Sequence, residues 1–446
     1  MDPITLGFCG IGVLLLLILF RVPIAVALGV VGFAGLVIIL GWPAGRDPNF
    51  VRGFTAAFNY LSFEPFSFVA SFSLVAIPMF LMMGYVAFHF GFTHDGYTAA
   101  RAWLSRLPGG LAIASVMGSA VFAAVSGSSM ATAAAMGKLA VPEMLRYNYD
   151  KGLATGAIAA AGTLGALIPP SILMIIYGLF TELSIGKLLI AGFLPGVLSA
   201  LGYILLIIIR AKINPSLAPM PDHRVSWGER FSALKGVWSI IVLFILVMGG
   251  IYAGIMTPTE AAAIGAAGAW ILAGLARKLN VEGAKLSILE TVTQTASIFA
   301  VVVGAKIFVG FIAMTGVASY LSDIALGLDY SPLVILLALS VMYVILGTFM
   351  DPLGIMLLTL PVVIPVIDSL GYDLIWFGVI MVKLLEIGMI TPPVGLNVFV
   401  LKGAIGDTVR LETIFKGVTW FIFADIIVLA ILILYPSISL VLPNAL

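Results

Sequence analysis

The chain has 446 residues, of which 62% are hydrophobic and only 10% charged, against about 45–50% and about 25% in soluble domains. That balance excludes an ordinary soluble enzyme and points to a polytopic protein of the lipid bilayer. A net charge of +1 gives no reason to expect nucleic acid as a partner, and a single cysteine, Cys9, excludes an internal disulfide framework.

In chain order, hydropathy predicts spans at 4–20 and 24–40, a polar loop over 41–53 and a third span over 66–90. The N-terminus has Asp2 and no basic stretch ahead of its apolar run, so it reads as a retained first helix rather than a cleaved signal. Residues 91–107 mix aromatics with His94, Arg101 and Arg106, which suits an amphipathic helix lying in the interface. The stretch 109–144 is two apolar pieces, each short for a span, joined by Ser126-Gly127-Ser128-Ser129. This is the pattern of a re-entrant hairpin. Residues 151–179 form an apolar segment interrupted by Pro169-Pro170. Neither proline donates a backbone hydrogen bond, and Ile168 before them is steered out of helical geometry. The helix is expected to open there and leave carbonyls that, inside a bilayer, must face protein, water or an ion. A span at 188–209 follows.

The polar segment 211–235, with Arg224, Arg230 and Lys235 against Asp222 and Glu229, divides the chain in two. Beyond it come spans at 237–255 and 259–276. Between them Thr257 reads as a helix cap, Pro258 as the first helical residue and Glu260 as a first-turn acid. A basic amphipathic piece, 277–290, precedes a span at 296–321. A second split segment, 331–367, breaks at Gly347–Pro352, and a second broken helix over 374–403 contains GMITPPVG. A hydrophobic stretch over 414–441 follows.

A displacement of 223 pairs Pro142 with Pro365, Tyr149 with Tyr372, Asp150 with Asp373, Gly165 with Gly388, Pro169 with Pro392 and Pro170 with Pro393. Three aligned proline pairs, in a chain with 23 prolines, argue for an internal repeat. The predicted fold is therefore all-α, with repeats over 1–210 and 236–446. Each repeat has five transmembrane helices, a re-entrant hairpin (109–144 and 331–367) and a discontinuous helix (151–179 and 374–403). Five crossings is an odd number, so the second repeat is inverted, and paired broken helices are the mark of a secondary transporter. With 211–235 cytoplasmic, sixteen Lys and Arg fall inside and only Arg46, Arg52 and Lys187 outside, which places the N-terminus on the non-cytoplasmic side.

The stretches AAVSGSSMATAAAMGKLAVPEM, GTLGALIPPSI, GGIYAGIMTPTEAAAIGA, GTFMDPLGIMLLTLPVVIPV and IGMITPPVGLNVFVLKG resemble the large membrane subunit of tripartite ATP-independent periplasmic (TRAP) transporters. The resemblance covers essentially the whole chain. It implies an elevator-type carrier of the bacterial inner membrane, driven by sodium, that takes a small organic acid from a periplasmic binding protein. It also implies a small four-helix membrane subunit, expected as a separate chain because this one begins with its own first span.

Sodium prefers oxygen ligands. One sodium site is expected from Ser126, Gly127 and Ser128 at the hairpin tip with Gly165, Ala166 and Pro169 at the first break. Its counterpart is expected from Thr348, Met350, Asp351, Gly388 and Thr391, with Asp351 lacking an acidic equivalent in the first half. The substrate anion is placed between the tips, near Ser128, Ser129, Thr391 and Asn397. Lys383 and Glu386, three apart, read either as an ion pair or as a gating element. Lys138 and Lys306, inside apolar segments, are open between function and snorkelling. Two alternatives are weighed. A sodium-coupled carboxylate carrier without a binding protein would share the hairpins. An intramembrane hydrolase using Ser128 lacks a suitably placed base, since His89, His94 and His223 lie at a span end, in an interfacial segment and in a polar loop.

Overall fold

Apolar runs with few helix breakers favour helix wherever they occur. The computed structural model describes residues 2–43, 47–220, 225–327 and 330–445, and these contain helices and no strand. Arg46, Asp222, His223 and Arg224 lie outside the described residues.

The first half comprises α1 (Pro3–Leu19), α2 (Ile24–Gly41), α3 (Phe50–Val69), α4 (Ala76–His89), α5 (Phe92–Leu104), α6 (Gly110–Ser126), α7 (Ser129–Arg146), α8 (Lys151–Gly162), α9 (Leu164–Leu167), α10 (Ile172–Thr181), α11 (Ile185–Ala191) and α12 (Phe193–Ile213). One expectation is corrected here. The region read as a polar loop and a span at 66–90 holds a full helix, α3, then a short 3-10 turn and α4. Asn49 starts α3 by accepting from the Arg52 N–H at 2.9 Å. Asn59, Glu64 and Pro65 in that helix lower its hydropathy and hid it.

The second half comprises α13 (Trp227–Phe244), which runs on through π-helical Ile245–Gly249 into α14 (Gly250–Tyr252), then α15 (Pro258–Leu275), α16 (Val281–Thr315), α17 (Val317–Gly327), α18 (Pro332–Phe349), α19 (Pro352–Ser369), α20 (Leu374–Ile390), α21 (Leu396–Ile405), α22 (Leu411–Leu434) and α23 (Ser437–Leu440). The separate pieces expected at 277–290 and 296–321 are corrected to one 35-residue helix, α16. No proline interrupts it, and it ends at Gly316, whose φ of +71° lies in the left-handed region. Thr257 and Glu260 form a reciprocal capping box at the start of α15, with Pro258 in the first turn.

The helix ends carry the displacement seen in the residues. Ser129–Arg146 and Pro352–Ser369 differ by 223 at both ends, as do the start of α8 and end of α9 against those of α20. Both Pro169-Pro170 and Pro392-Pro393 are cis.

The chain divides into two interleaved units. The first is Met1–Leu74, Thr293–Val341 and Leu353–Phe377; the second is Val75–Val292, Met342–Pro352 and Gly378–Leu446. Within the first unit α2 crosses α16 so closely that a Cβ on Gly304 would lie 2.3 Å from the Ala25 carbonyl oxygen, the kind of approach small residues permit in membranes. Within the second unit every residue from Gly152 to Gly162 is buried. This apolar helix is a core helix rather than a surface one, and α22 lies against it where a Cβ on Gly417 would sit 1.9 Å from the Gly152 oxygen. Large side chains such as Leu16, Phe20, Ile209, Ile245 and Leu434 are exposed instead, as a lipid-facing surface requires.

Candidate functional site

Every residue expected at the ion and substrate sites lies in the second unit. At the first tip, α6 ends on Gly127, whose φ of +61° suits glycine, and Ser128 caps α7 by accepting from the Ala131 N–H. The first break packs directly on this turn. The Ile172 N–H donates to the Gly127 oxygen at 3.4 Å, and a Cβ on Gly127 would lie 2.2 Å from the Pro170 oxygen. Gly165 approaches equally closely, since a Cβ there would lie 2.7 Å from the Ser128 oxygen. Ser126, Gly127, Ser128 and Gly165 are thus brought together. Ala166 and Pro169 lie in the same break, both buried.

The second tip also meets its break, through different residues. Gly347 of α18 lies against Gly388 of α20, where a Cβ on Gly388 would come within 2.5 Å of the Gly347 Cα. The Gly395 N–H donates to the Thr348 oxygen at 3.3 Å. Met350 and Asp351 form the turn between α18 and α19, and Thr391 closes α20 just before the prolines.

The hydroxyls at both tips share one chemistry. Thr348, Thr391 and Thr132 donate to the carbonyl oxygens of Ile345, Ile387 and Ser128 at 2.7, 2.6 and 2.8 Å. With its only hydrogen committed, each oxygen presents lone pairs alone. Such an oxygen-only set matches a hard cation. Thr132, which also meets the Ser126 hydroxyl at 3.1 Å, was not anticipated, although it lies one turn beyond the serine tip.

Asn397, on the first turn of α21, is fully buried and neither amide atom has a hydrogen-bond partner. A buried amide without a partner in the chain is costly, which keeps Asn397 among the candidate substrate ligands. Ser129, by contrast, has a partner from the other half of the chain: its hydroxyl donates to Glu386 Oε1 at 2.9 Å.

That bond corrects the reading of Lys383 and Glu386 as a pair. Lys383 turns to Asp425 of α22 at 2.5 Å and to the Ser199 hydroxyl at 3.1 Å. Tyr203 donates to the same carboxylate, 2.7 and 2.8 Å from its two oxygens, and meets the Thr163 hydroxyl at 3.0 Å beside the first break. Spacing along one helix cannot reveal partners on α7 and α22. The signal overlooked was Asp425 itself, an acid inside a 24-residue apolar helix, where ionisable residues are functional candidates by default. Of the other intramembrane lysines, Lys138 is exposed and Lys306 lies 4.8 Å over the Phe68 ring.

The family model of the tripartite ATP-independent periplasmic transporter DctM component matches residues 11–438. The C4-dicarboxylate TRAP transporter large permease of Pseudomonas aeruginosa is 37% identical over 405 residues, covering 88% of this chain and 93% of that protein. The sialic acid TRAP large permease of Vibrio cholerae is 31% identical, covering 93% and 97%. The isethionate TRAP permease DctMQ of Oleidesulfovibrio alaskensis is 32% identical over 98% of this chain and 66% of its own length. Among solved structures, the Alcanivorax borkumensis YdaH transporter aligns with a TM-score of 0.55 at 15% identity, over 93% of this chain and 98% of that one. Neisseria gonorrhoeae MtrF aligns at 0.58 and 12%, over 97% and 95%. At those identities the likeness speaks for the fold, while the family match covers nearly the whole chain: this protein belongs to the large permease family of TRAP transporters.

Proposed function

We propose that this permease imports a small organic acid across the bacterial inner membrane, with sodium as the coupling ion. The acid is received from a periplasmic binding protein, and a small four-helix membrane subunit works beside the permease, with the N-terminus on the periplasmic side. The relatives named for C4-dicarboxylates, sialic acid and isethionate all act on anions. The observation that carries the reading is the packing of each hairpin tip on a broken helix, Gly127 and Ser128 against Pro170, Ile172 and Gly165, and Gly347 and Thr348 against Gly388 and Gly395.

In this reading Ser126, Gly127, Ser128, Gly165, Ala166 and Pro169 hold one sodium ion, and Thr348, Met350, Asp351, Gly388 and Thr391 the other. The substrate carboxylate lies by Ser128, Ser129, Thr391 and Asn397, where the Asn397 amide supplies the donor it has no other use for. The restarted helices α10 and α21 direct their positive N-terminal ends towards that anion. Because all these residues belong to one compact unit, the site can travel intact, as an elevator mechanism requires.

The test is reconstitution of both membrane subunits in proteoliposomes with external binding protein. Uptake of the acid is expected only with the binding protein present and an inward sodium gradient. Uptake without the binding protein identifies a free-standing carrier, and uptake indifferent to sodium overturns the coupling ion.

A further inference from the structure

A cavity of about 210 Å³ opens within the second unit between the end of α4, the start of α5 and the middle of α7. Phe88 and Leu139 give it an apolar wall, and Thr93, His94 and Lys138 stand on its polar side. None of these residues belongs to the tips or the breaks, and Lys138 is an intramembrane lysine to which the ion and substrate sites give no role.

The charges around the cavity do not balance. Asp95 in the first turn of α5 is paired with Lys278, and Glu143 further along α7 with Arg101. Lys138 is exposed and makes no ion pair among the described residues. The start of α5 adds to the positive side, because its N-cap is Gly91, which has no side chain to cap the first-turn N–H groups. Thr93 in that turn is 5% exposed and its hydroxyl has no hydrogen-bond partner, whereas a buried hydroxyl ordinarily finds one. His94 beside it brings an exposed imidazole. An ammonium, a buried hydroxyl, an imidazole and an uncapped helix start together make a donor set for an oxyanion.

We propose that this cavity binds the phosphate of an anionic phospholipid, with Lys138 as its counter-charge and the Thr93 hydroxyl, His94 and the start of α5 as hydrogen-bond donors. The apolar wall decides between a lipid and a free oxyanion: Phe88 and Leu139 give glycerol and the upper acyl carbons a surface that a soluble anion has no use for. Charge decides between headgroups. A zwitterionic lipid would bring its own ammonium against Lys138, whereas an anionic one meets it with an unmatched negative charge, and a juxtamembrane lysine is drawn to the anionic lipids of the cytoplasmic leaflet. A lipid held here joins α7, the returning limb of the first hairpin, to α4 and α5. The site is independent of the ion reading of the tips and stands or falls without it.

The experiment is native mass spectrometry of the full-length protein in detergent, titrated with dioleoylphosphatidylglycerol. Dioleoylphosphatidylcholine, with the same chains and phosphate, is the zwitterionic probe, and glycerol phosphate the soluble one. Wild type is expected to bind its first phosphatidylglycerol about fivefold more tightly than phosphatidylcholine. Lys138→Gln is expected to abolish that preference, while Lys285→Gln, an exposed lysine at the start of α16, keeps it. Thr93→Val is expected to weaken the first phosphatidylglycerol without lowering the melting temperature of the lipid-free protein, which a merely structural hydroxyl would lower. Equal binding of the two lipids by wild type overturns the inference, and so does a preference that survives Lys138→Gln. An equal loss in Lys285→Gln shows a diffuse surface charge and overturns it too. Glycerol phosphate bound by wild type with no preference between the lipids identifies a soluble oxyanion and overturns the lipid assignment.

Discussion

The two tip-and-break pairs are built on matching helix spans but fastened differently. At the first, the break lies on the turn itself: Pro170 and Ile172 against Gly127, Gly165 against Ser128. Its charge comes from elsewhere in the chain, through Ser129 to Glu386 and through Thr163 to the Tyr203–Asp425–Lys383 network. At the second, the contact is made a turn earlier, between Gly347 and Gly388, and the acid stands in the turn as Asp351. A repeated backbone therefore does not entail a repeated charge pattern. What one half encodes in its tip, the other acquires by packing.

The difference between the two pairs depends most heavily on the network beside the first break. Lys383→Met leaves Asp425 buried without its ion-pair partner, a change that costs about 3–5 kcal/mol. The measurement is thermal unfolding in detergent, where a wild-type transition would show the pair to be dispensable. Replacing both Lys383 and Asp425 by apolar residues is expected to regain most of the loss.

Next in size is the turn. Gly127→Val meets the Pro170 oxygen and forces a branched residue to positive φ, which costs about 1–3 kcal/mol from the backbone alone. Uptake, corrected for the amount in the membrane, is expected to vanish. The matching position in the second half is already Met350, so Met350→Leu is expected to transport. Equal tolerance at both positions would dissolve the difference between the tips.

Asn397→Leu separates stability from function. Removing an amide with no partner is expected to stabilise the substrate-free protein by about 1–3 kcal/mol while transport of the acid is lost. A variant less stable than wild type would show that the amide is already satisfied. The smallest effect lies outside both tips: Thr257→Ala removes half of the α15 capping box and is expected to lower stability by about 1 kcal/mol with uptake per molecule unchanged.

Much of this was legible in the residues because prolines and glycines act locally. Pro169-Pro170 and Pro392-Pro393 announce the breaks, Ser126–Ser129 and Gly347–Pro352 the tips, and Thr257 to Glu260 a helix start, each by rules that span a few positions. The helix α3 was obscured because Asn59, Glu64 and Pro65 dilute its hydropathy, and α16 because its basic start imitates an interfacial piece. The Glu386–Ser129 and Lys383–Asp425 bonds were not legible. They join residues 257 and 42 positions apart, and a single sequence carries no record of such separations beyond the anomaly of an acid in an apolar helix.

The proposed sodium coupling depends on each tip with its break forming an ion site. Sodium dependence of uptake in the Ser126→Ala, Ser128→Ala double variant, beside Asp351→Asn, tests it most directly. Each variant is expected to raise the sodium concentration for half-maximal uptake about tenfold and to lower the steepness of the sodium response, because one of two sites is impaired. Wild-type sodium dependence in the double variant, at normal abundance in the membrane, would contradict the claim.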